Sequence, residues 1–347
     1  MKYSFIIPVY NGERFIPGIV DALFFQAFED WEAVFVDDGS SDSSLETLRR
    51  VCSSDSRLSV ISVPHGGVSS ARNTGLDAAS GERIIFWDND DLIDGSLLCL
   101  AEEEMHDEDV FIFNFENITG NHAQLARERE SFRYRLSEGS LEDFLLEHYS
   151  SVAGSVWNRV FRKDIVDTFG LRFTDERLVG NEDILFNLKY LMHCRSIAYS
   201  GRVGYHYFLR ADSLSHRTFR DTDHLQRFLD CALEFISYGK SRCPSAELLP
   251  LVFLYKEIML GYRSYLGENG DEWIIRYLHR HLDLRLLQRN CSEVSDRIMS
   301  IERMNPSARP GIMELFQRII RGDTVGCEGI LDGLLVMSGK RRRDREA

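Results

Sequence analysis

Acidic side chains recur in this chain where strands are expected to end. Asp37-Asp38-Gly39-Ser40 follows the apolar run Trp31–Val36, and Asp88-Asn89-Asp90-Asp91 follows Arg83–Trp87. Carboxylates brought within several Å of one another raise each other's pKa unless a cation neutralises them. Oxygen donors in an Asp-x-Asp arrangement suit Mg2+ or Mn2+. A metal completed by substrate phosphates turns an acidic site into a receptor for a diphosphate. Taken alone, Asp-Asp-Gly-Ser is also the composition of a turn with a helix cap, and Asp88–Asp91 that of a loop start. Joint placement after successive strands argues for chemistry.

The elements that must position these residues are readable from periodicity. Strands are expected at Tyr3–Ile7, Trp31–Val36, Leu58–Val63, Arg83–Trp87 and Val110–Phe115, separated by stretches long enough for crossover helices. That rhythm belongs to a mainly parallel α/β sheet covered by helices on both faces. Ligands bind such sheets outside the carboxyl ends of the strands. There the chain carries Pro8-Val9-Tyr10-Asn11-Gly12 after the first strand and Pro64-His65-Gly66-Gly67 after the third, besides the two acidic clusters. Five acidic side chains, Asp37, Asp38, Asp88, Asp90 and Asp91, therefore converge on one edge. Ser41 or Asp42 can cap a helix running to about Val51, and Asp94 one through Glu104. Ser69–Ala79 reads as a helix stopped by Ser80-Gly81.

Asn117–Gly139 is polar and reads as a surface excursion or hairpin. Ser140–Tyr149 and Glu182–Leu191 read as helices, and Val152–Phe161 as extended or turn-like chain. From Asp221 helical periodicity takes over, at Leu225–Tyr238, Ala246–Leu266, Asp271–Leu287, Val294–Met304, Ile312–Ile320 and Thr324–Val336. This places a domain boundary near residue 220, giving an α/β domain over 1–220 and an all-helical region over 221–347.

Composition narrows the function classes. The 347 residues hold 41 basic and 55 acidic side chains, a net charge of −14, so the surface as a whole repels phosphate polymers and a nucleic-acid groove is not expected. Any phosphate must be held locally. Seven widely spaced cysteines with no CxxC pair suit a reducing cytosol. No signal peptide is expected at Met1–Pro8, and no window reaches the roughly 18 apolar residues of a membrane span. There is no GxxxxGK[ST] loop, and Gly66-Gly67 is not a GxGxxG turn. The pair instead lets backbone pass close to a ligand.

Four blocks in order resemble the family 2 glycosyltransferases, inverting enzymes of the GT-A (Rossmann-like) fold. They are Ser4-Phe5-Ile6-Ile7-Pro8-Val9-Tyr10-Asn11, Val36-Asp37-Asp38-Gly39-Ser40-Ser41-Asp42, Gly67–Leu76 and Phe86-Trp87-Asp88-Asn89-Asp90-Asp91. Further on, Gly180-Asn181-Glu182-Asp183 resembles that family's ED motif and Val156–Phe161 the segment before it. Tyr205-His206-Tyr207 with Arg210, Ser213 and Ser215 resembles an element that closes over the diphosphate. The resemblance spans roughly 3–215. Two departures stand out: at the Asp-x-Asp motif Asn89 replaces a small residue and Trp87 an aliphatic one, and Arg159 replaces a lysine, which keeps the charge and changes the geometry.

The resemblance implies transfer of a sugar from a nucleoside diphosphate, a UDP-sugar, to the hydroxyl of a glycan or lipid-linked acceptor. Such chemistry belongs to bacterial-type surface polysaccharide or glycoconjugate assembly. Asp183 inherits the role of catalytic base, with Glu182 as the neighbouring alternative; the competing reading is a carboxylate favoured by a helix N-terminus. Mn2+ or Mg2+ would be held by Asp90, with Asp88 as second ligand or ribose partner and His206 as a further ligand. Pro8, Tyr10, Asn11, Asp38, Arg72, Asp88, Asn89, Arg210 and Ser213 would line the nucleotide-sugar. Within that set, Asp38 accepts the imide N–H of uracil, Tyr10 borders the base, and Arg72 reaches base or phosphate. A packed core tyrosine and a surface arginine are the plain alternatives for the last two.

Two rival readings stand beside this one. A sugar-phosphate nucleotidyltransferase would need a Gly-rich basic loop after the first strand, where Pro8-Val9-Tyr10-Asn11 stands. A non-catalytic nucleotide-sugar or carbohydrate-binding module would be marked by missing carboxylates, whereas Asp38, Asp88, Asp90 and Asp183 are all present. The helical region either binds acceptor, pairs with another subunit or buttresses the catalytic domain. Its basic run Lys340–Arg345 is either a solvated tail or an attachment to anionic lipid headgroups on the inner face of a membrane.

Overall fold

The computed structural model describes residues 1–120, 122–126, 130–135, 141, 144, 154–210, 220–242, 248–265, 269–301, 306–327 and 329–338. The chain divides into two compact units. The first comprises Met1–Ser140, Gly154–Glu176 and Phe186–Asp212, and the second Leu141–Ala153, Arg177–Leu185 and Ser213–Ala347.

The first unit is built on a mixed sheet. Strands β1 (Tyr3–Val9), β2 (Trp31–Asp37), β3 (Leu58–Ser62) and β4 (Arg83–Phe86) are parallel. They alternate with helices α1 (Ile16–Phe24), α2 (Ser44–Cys52) and α3 (Val68–Ala78). β1 is buried along its whole length, as expected of a central strand covered on both faces. The sheet runs β3-β2-β1-β4 and continues through β9 (Arg159–Arg162), β6 (Val110–Thr119), β10 (Ser196–Phe208) and β5 (Leu92–Ile93). β9 is antiparallel to β4 and β6, and β10 is parallel to β6. Because the chain leaves β1 for β2 and β3 on one side and returns to β4 on the other, β1 and β4 mark the reversal of strand order where α/β folds place their ligands. Pro8 is tolerated here because it lies beyond Ile6↔Phe86, the last β1–β4 pair, so β1 is paired on only one side at that point. Phe5 packs edge-on against Trp31 and Trp87 at centroid distances of 6.3 and 6.1 Å, fixing the sheet to one aromatic core.

The cap positions differ from those expected: Ser43 and Ser96 stand at the two helix starts, neither with a side-chain cap hydrogen bond, while Asp42 and Asp94 close turns just ahead of them. Asp42 accepts the N–H of Ser44 at the start of α2, and Asp94 that of Ser96 just ahead of α4 (Leu97–Glu104). The Asn117–Gly139 excursion contains β7 (His122–Leu125), antiparallel to β6, and β8 (Phe132–Arg135), antiparallel to β10. Most of the helix expected at Ser140–Tyr149 lies outside the described residues. A short helix α5 (Lys163–Thr168) follows β9, and α6 (Glu182–Leu191) occupies the span expected for it. β10 was not foreseen. Gly201, Arg202 and Gly204 interrupt its apolar alternation, and register shifts between Ser200 and Tyr205 absorb them as bulges.

The second unit holds α7 (Thr222–Arg242), α8 (Leu248–Ser264), α9 (Gly270–His281), α10 (Leu284–Ile301), α11 (Arg309–Arg321) and α12 (Ile330–Met337). Phe235 of α7 meets Phe253 of α8 edge-on at 5.5 Å. The single helix expected over Asp271–Leu287 is broken. Leu282 turns extended, with ψ 146°, and Asp283 accepts the N–H groups of Arg285 and Leu286, capping a new helix. That helix runs on through Val294. Gly326 and Gly329, at φ +65° and +80°, delay the last helix to Ile330. Among the described residues no helix is long and apolar enough to cross a membrane.

Candidate active site

The polar loops after β1 and β2 hydrogen bond to each other, and the loop after β4 packs against the first of them. Asn11 adopts φ +50°, donates its N–H to Ser40 Oγ and accepts from the Ser41 N–H. Gly12 N–H donates to Ser44 Oγ at 2.9 Å. Asn89 lies across Gly12: a Cβ there would come within 2.0 Å of Asn89 Nδ2. Asn11 and Asn89 are thus part of one loop framework, and Pro8 lies within β1 just ahead of it.

Asp38 is buried and receives the N–H groups of Gly66 and Gly67 at 2.7 and 3.0 Å, with His65 Nδ1 at 2.8 Å. Gly39, at φ +68°, lets this turn approach closely, since a Cβ would come 2.8 Å from the His65 backbone nitrogen. Tyr10 stacks on His65 with centroids 4.4 Å apart and is 48% exposed, so it is a rim residue and not core. Gly67, at φ +92°, is covered by Glu176, which accepts the Ser69 N–H at the start of α3. Neither His65 nor Glu176 was singled out by sequence. Polar residues flanking the glycine pair were the only available signal for His65, and Glu176 lies more than a hundred residues from its partner.

Asp88 and Asp90 each meet an arginine. Arg72 donates to Asp88 Oδ1 at 2.8 Å and lies over the Phe173 ring. At 3% exposure it is a buried cation and not a surface side chain. Arg210 donates to Asp90 Oδ2 and to the Asp90 carbonyl, between the rings of Phe15 and Phe208. His206 turns its ring nitrogens toward Asp94 and Glu116, at 3.5 and 3.3 Å, so ligation at Asp88 and Asp90 would require it to leave them. Ser213 and Ser215 lie outside the described residues. Glu182 and Asp183 open α6 and belong to the second unit.

Donor chemistry tests the fit of a metal. Asp88 and Asp90 offer hard oxygens, which suit Mg2+ or Mn2+. No group of three candidate ligands occurs among the described residues. A cation held by Asp88 and Asp90 would therefore need its remaining ligands from substrate phosphates and water.

Asp91, at 2% exposure, supports this loop from below. It accepts the Tyr205 hydroxyl and the Phe208 N–H, both at 2.9 Å, while its own carbonyl accepts Trp87 Nε1. Burial pushes its carboxyl up to about 8, and the charges of Asp88 and Asp90 add to the rise against the Phe208 N–H. Trp157 stacks on Tyr205 at 4.3 Å and braces the same strand. Asp91→Ala is expected to lower stability by roughly 1–3 kcal/mol, because it leaves the buried Tyr205 hydroxyl and Phe208 N–H without an acceptor. Asp91→Asn, which keeps one acceptor oxygen, should recover most of that in thermal melts.

Residues 4–170 match the model of the family described as glycosyl transferase family 2. The chain is 28% identical over 291 residues to an uncharacterized glycosyltransferase, EpsJ of Bacillus subtilis, covering 82% of this chain and 84% of EpsJ. It is 26% identical over 212 residues to the poly(ribitol-phosphate) beta-N-acetylglucosaminyltransferase TarS of Staphylococcus aureus, covering 60% of this chain and 35% of TarS. The crystal structure of TarS residues 1–349 superposes with a TM-score of 0.69 at 20% identity, covering 96% of this chain and 92% of that one. The same TarS piece has been solved with UDP.

Proposed function

We propose that the chain, whose residues 4–170 match the glycosyl transferase family 2 model, moves a sugar from a UDP-sugar to an acceptor hydroxyl with inversion, in assembly of a surface polysaccharide or glycoconjugate. The observation that carries this reading is the pair of arginine-backed carboxylates, Asp88 and Asp90, after β4 at the strand-order reversal. The TarS complex with UDP and that protein's polymeric acceptor support the choice of donor and acceptor class.

The residues divide the work. Asp38, held by Gly66, Gly67 and His65, keeps acceptor capacity for the uracil imide N–H, and Tyr10 with His65 borders the base. Asp88 and Asp90 would hold Mn2+ or Mg2+, which when bound supplies positive charge opposite the departing diphosphate. Arg72 and Arg210 fix the two carboxylates and add fixed positive charge near the phosphates. Asp183 takes the proton of the attacking hydroxyl, with Glu182 beside it. One displacement at the anomeric carbon then converts an α-linked donor into a β-glycoside.

The test is a panel of UDP-, GDP- and dTDP-sugars assayed for Mn2+-dependent hydrolysis. Turnover confined to UDP-sugars is expected. Preference for a GDP- or dTDP-sugar would overturn the assignment of Asp38, and absence of turnover throughout would favour a binding module.

A further inference from the structure

We propose that Glu257, in the helical region, is a positioning residue that fixes the head of the helix carrying Glu182 and Asp183. The inference rests on the reading of Asp183 as catalytic base. Glu257 lies on α8 at 0% exposure, and both of its oxygens accept from Asn181 Nδ2, at 3.1 and 3.0 Å. Asn181 is the residue immediately before α6. It adopts φ +60°, and its carbonyl accepts the Leu185 N–H, closing the first turn of that helix.

An asparagine at a helix start ordinarily turns its side chain back onto the helix's own N–H groups. Here the amide is held by α8 instead. The left-handed backbone at Asn181, which few residues other than glycine and asparagine adopt, is therefore anchored from outside the helix it begins. The neighbouring backbone is held as well. Gly180 N–H donates to the Arg227 carbonyl at 2.9 Å, and a Cβ on Gly180 would come 3.0 Å from the Phe228 ring. Cys231 Sγ reaches the Asn181 carbonyl. Thus α7 and α8 grip both residues that precede Glu182-Asp183.

A buried carboxyl is a costly way to fill space, and a leucine of similar volume avoids the desolvation. Burial drives the Glu257 carboxyl well above the usual carboxylate range, and the Asn181 amide opposes that rise. What glutamate supplies and leucine does not is a two-oxygen acceptor for one amide. That amide sets the direction in which the first turn of α6 presents Asp183. On this account the helices after residue 220 serve catalysis by orienting the base.

The experiment compares Glu257→Leu, Glu257→Gln and Asn181→Gly with the intact chain. UDP affinity is read by calorimetry with Mn2+, and kcat and KM by UDP release from the best UDP-sugar substrate. Glu257→Leu should leave UDP affinity and KM within about twofold and lower kcat by about tenfold or more, since a small misplacement of a reacting group is costly. Glu257→Gln, which keeps one acceptor oxygen for the amide, should restore kcat to within about threefold. Asn181→Gly keeps the backbone geometry and removes the amide, so it tests the same link if Glu257→Leu does not fold; it should lower kcat alone. Unchanged kcat in folded Glu257→Leu or in Asn181→Gly overturns the proposal, as does a fall in kcat matched by an equal fall in UDP affinity. Asp183→Asn in parallel separates the two readings. If it abolishes turnover while Glu257→Leu stays fully active, only the positioning role fails; if it stays fully active, the base assignment and this inference fail together.

Discussion

Asp183→Asn is expected to bind UDP and Mn2+ as the intact chain does and to lose turnover by about 10²–10⁴-fold, the usual contribution of a general base. The substitution keeps shape and removes the ability to take a proton. Asp183 sits in the first turn of α6, where the helix N-terminus favours a negative charge. Glu182 occupies the same turn and supplies the control. Glu182→Gln should retain most turnover if Asp183 is the base; the reverse pattern in the two variants assigns the role to Glu182. The readouts are UDP titration by calorimetry and UDP release under saturating donor.

Asp90→Ala is the second large effect, and its sign depends on the metal. With Mn2+ present, loss of the carboxylate should weaken UDP binding by roughly tenfold to a hundredfold, or about 1.4–2.8 kcal/mol. Without metal the result differs, because removing Asp90 frees the Arg210 guanidinium it neutralises. An unneutralised cation beside the diphosphate attracts it, so metal-free UDP affinity should stay level or rise. Calorimetry with Mn2+ and again with EDTA reads both arms. Equal affinity of variant and intact chain in Mn2+ would remove Asp90 from the metal site.

How much of this was legible in the sequence depends on how local the cause was. The parallel strands β1 to β4 follow from continuous apolar runs, and the polar turns ahead of α2 and α4 from Asp42 and Asp94, each accepting an N–H two residues on, although the caps themselves fall at Ser43 and Ser96. β10 escaped because its glycines and Arg202 break the period that identifies strands, and only pairing with β6 makes them a strand. The break at Leu282-Asp283 was readable in principle from the capping aspartate, but continuous helical periodicity on both sides hid it.

The site divides in the same way. Carboxylates after strands could be placed from topology, so Asp38, Asp88 and Asp90 stood out as a set. Their partners are non-local: Arg72 reaches Asp88 across 16 residues, Arg210 reaches Asp90 across 120, and Glu257 reaches Asn181 across 76. No periodicity encodes such pairs. Asp91 was visible as one more acidic residue, yet its burial under Tyr205 depends on the strand that went unread.

The central claim is that residues of this chain catalyse one direct displacement at the anomeric carbon of a UDP-sugar. Time-resolved proton NMR of the sugar first released from an α-linked UDP-sugar tests it most directly, with water as acceptor and Mn2+ present. The account predicts that the β anomer appears first and equilibrates later with the α form. Initial release of the α anomer, or no release from any UDP-sugar, would contradict it.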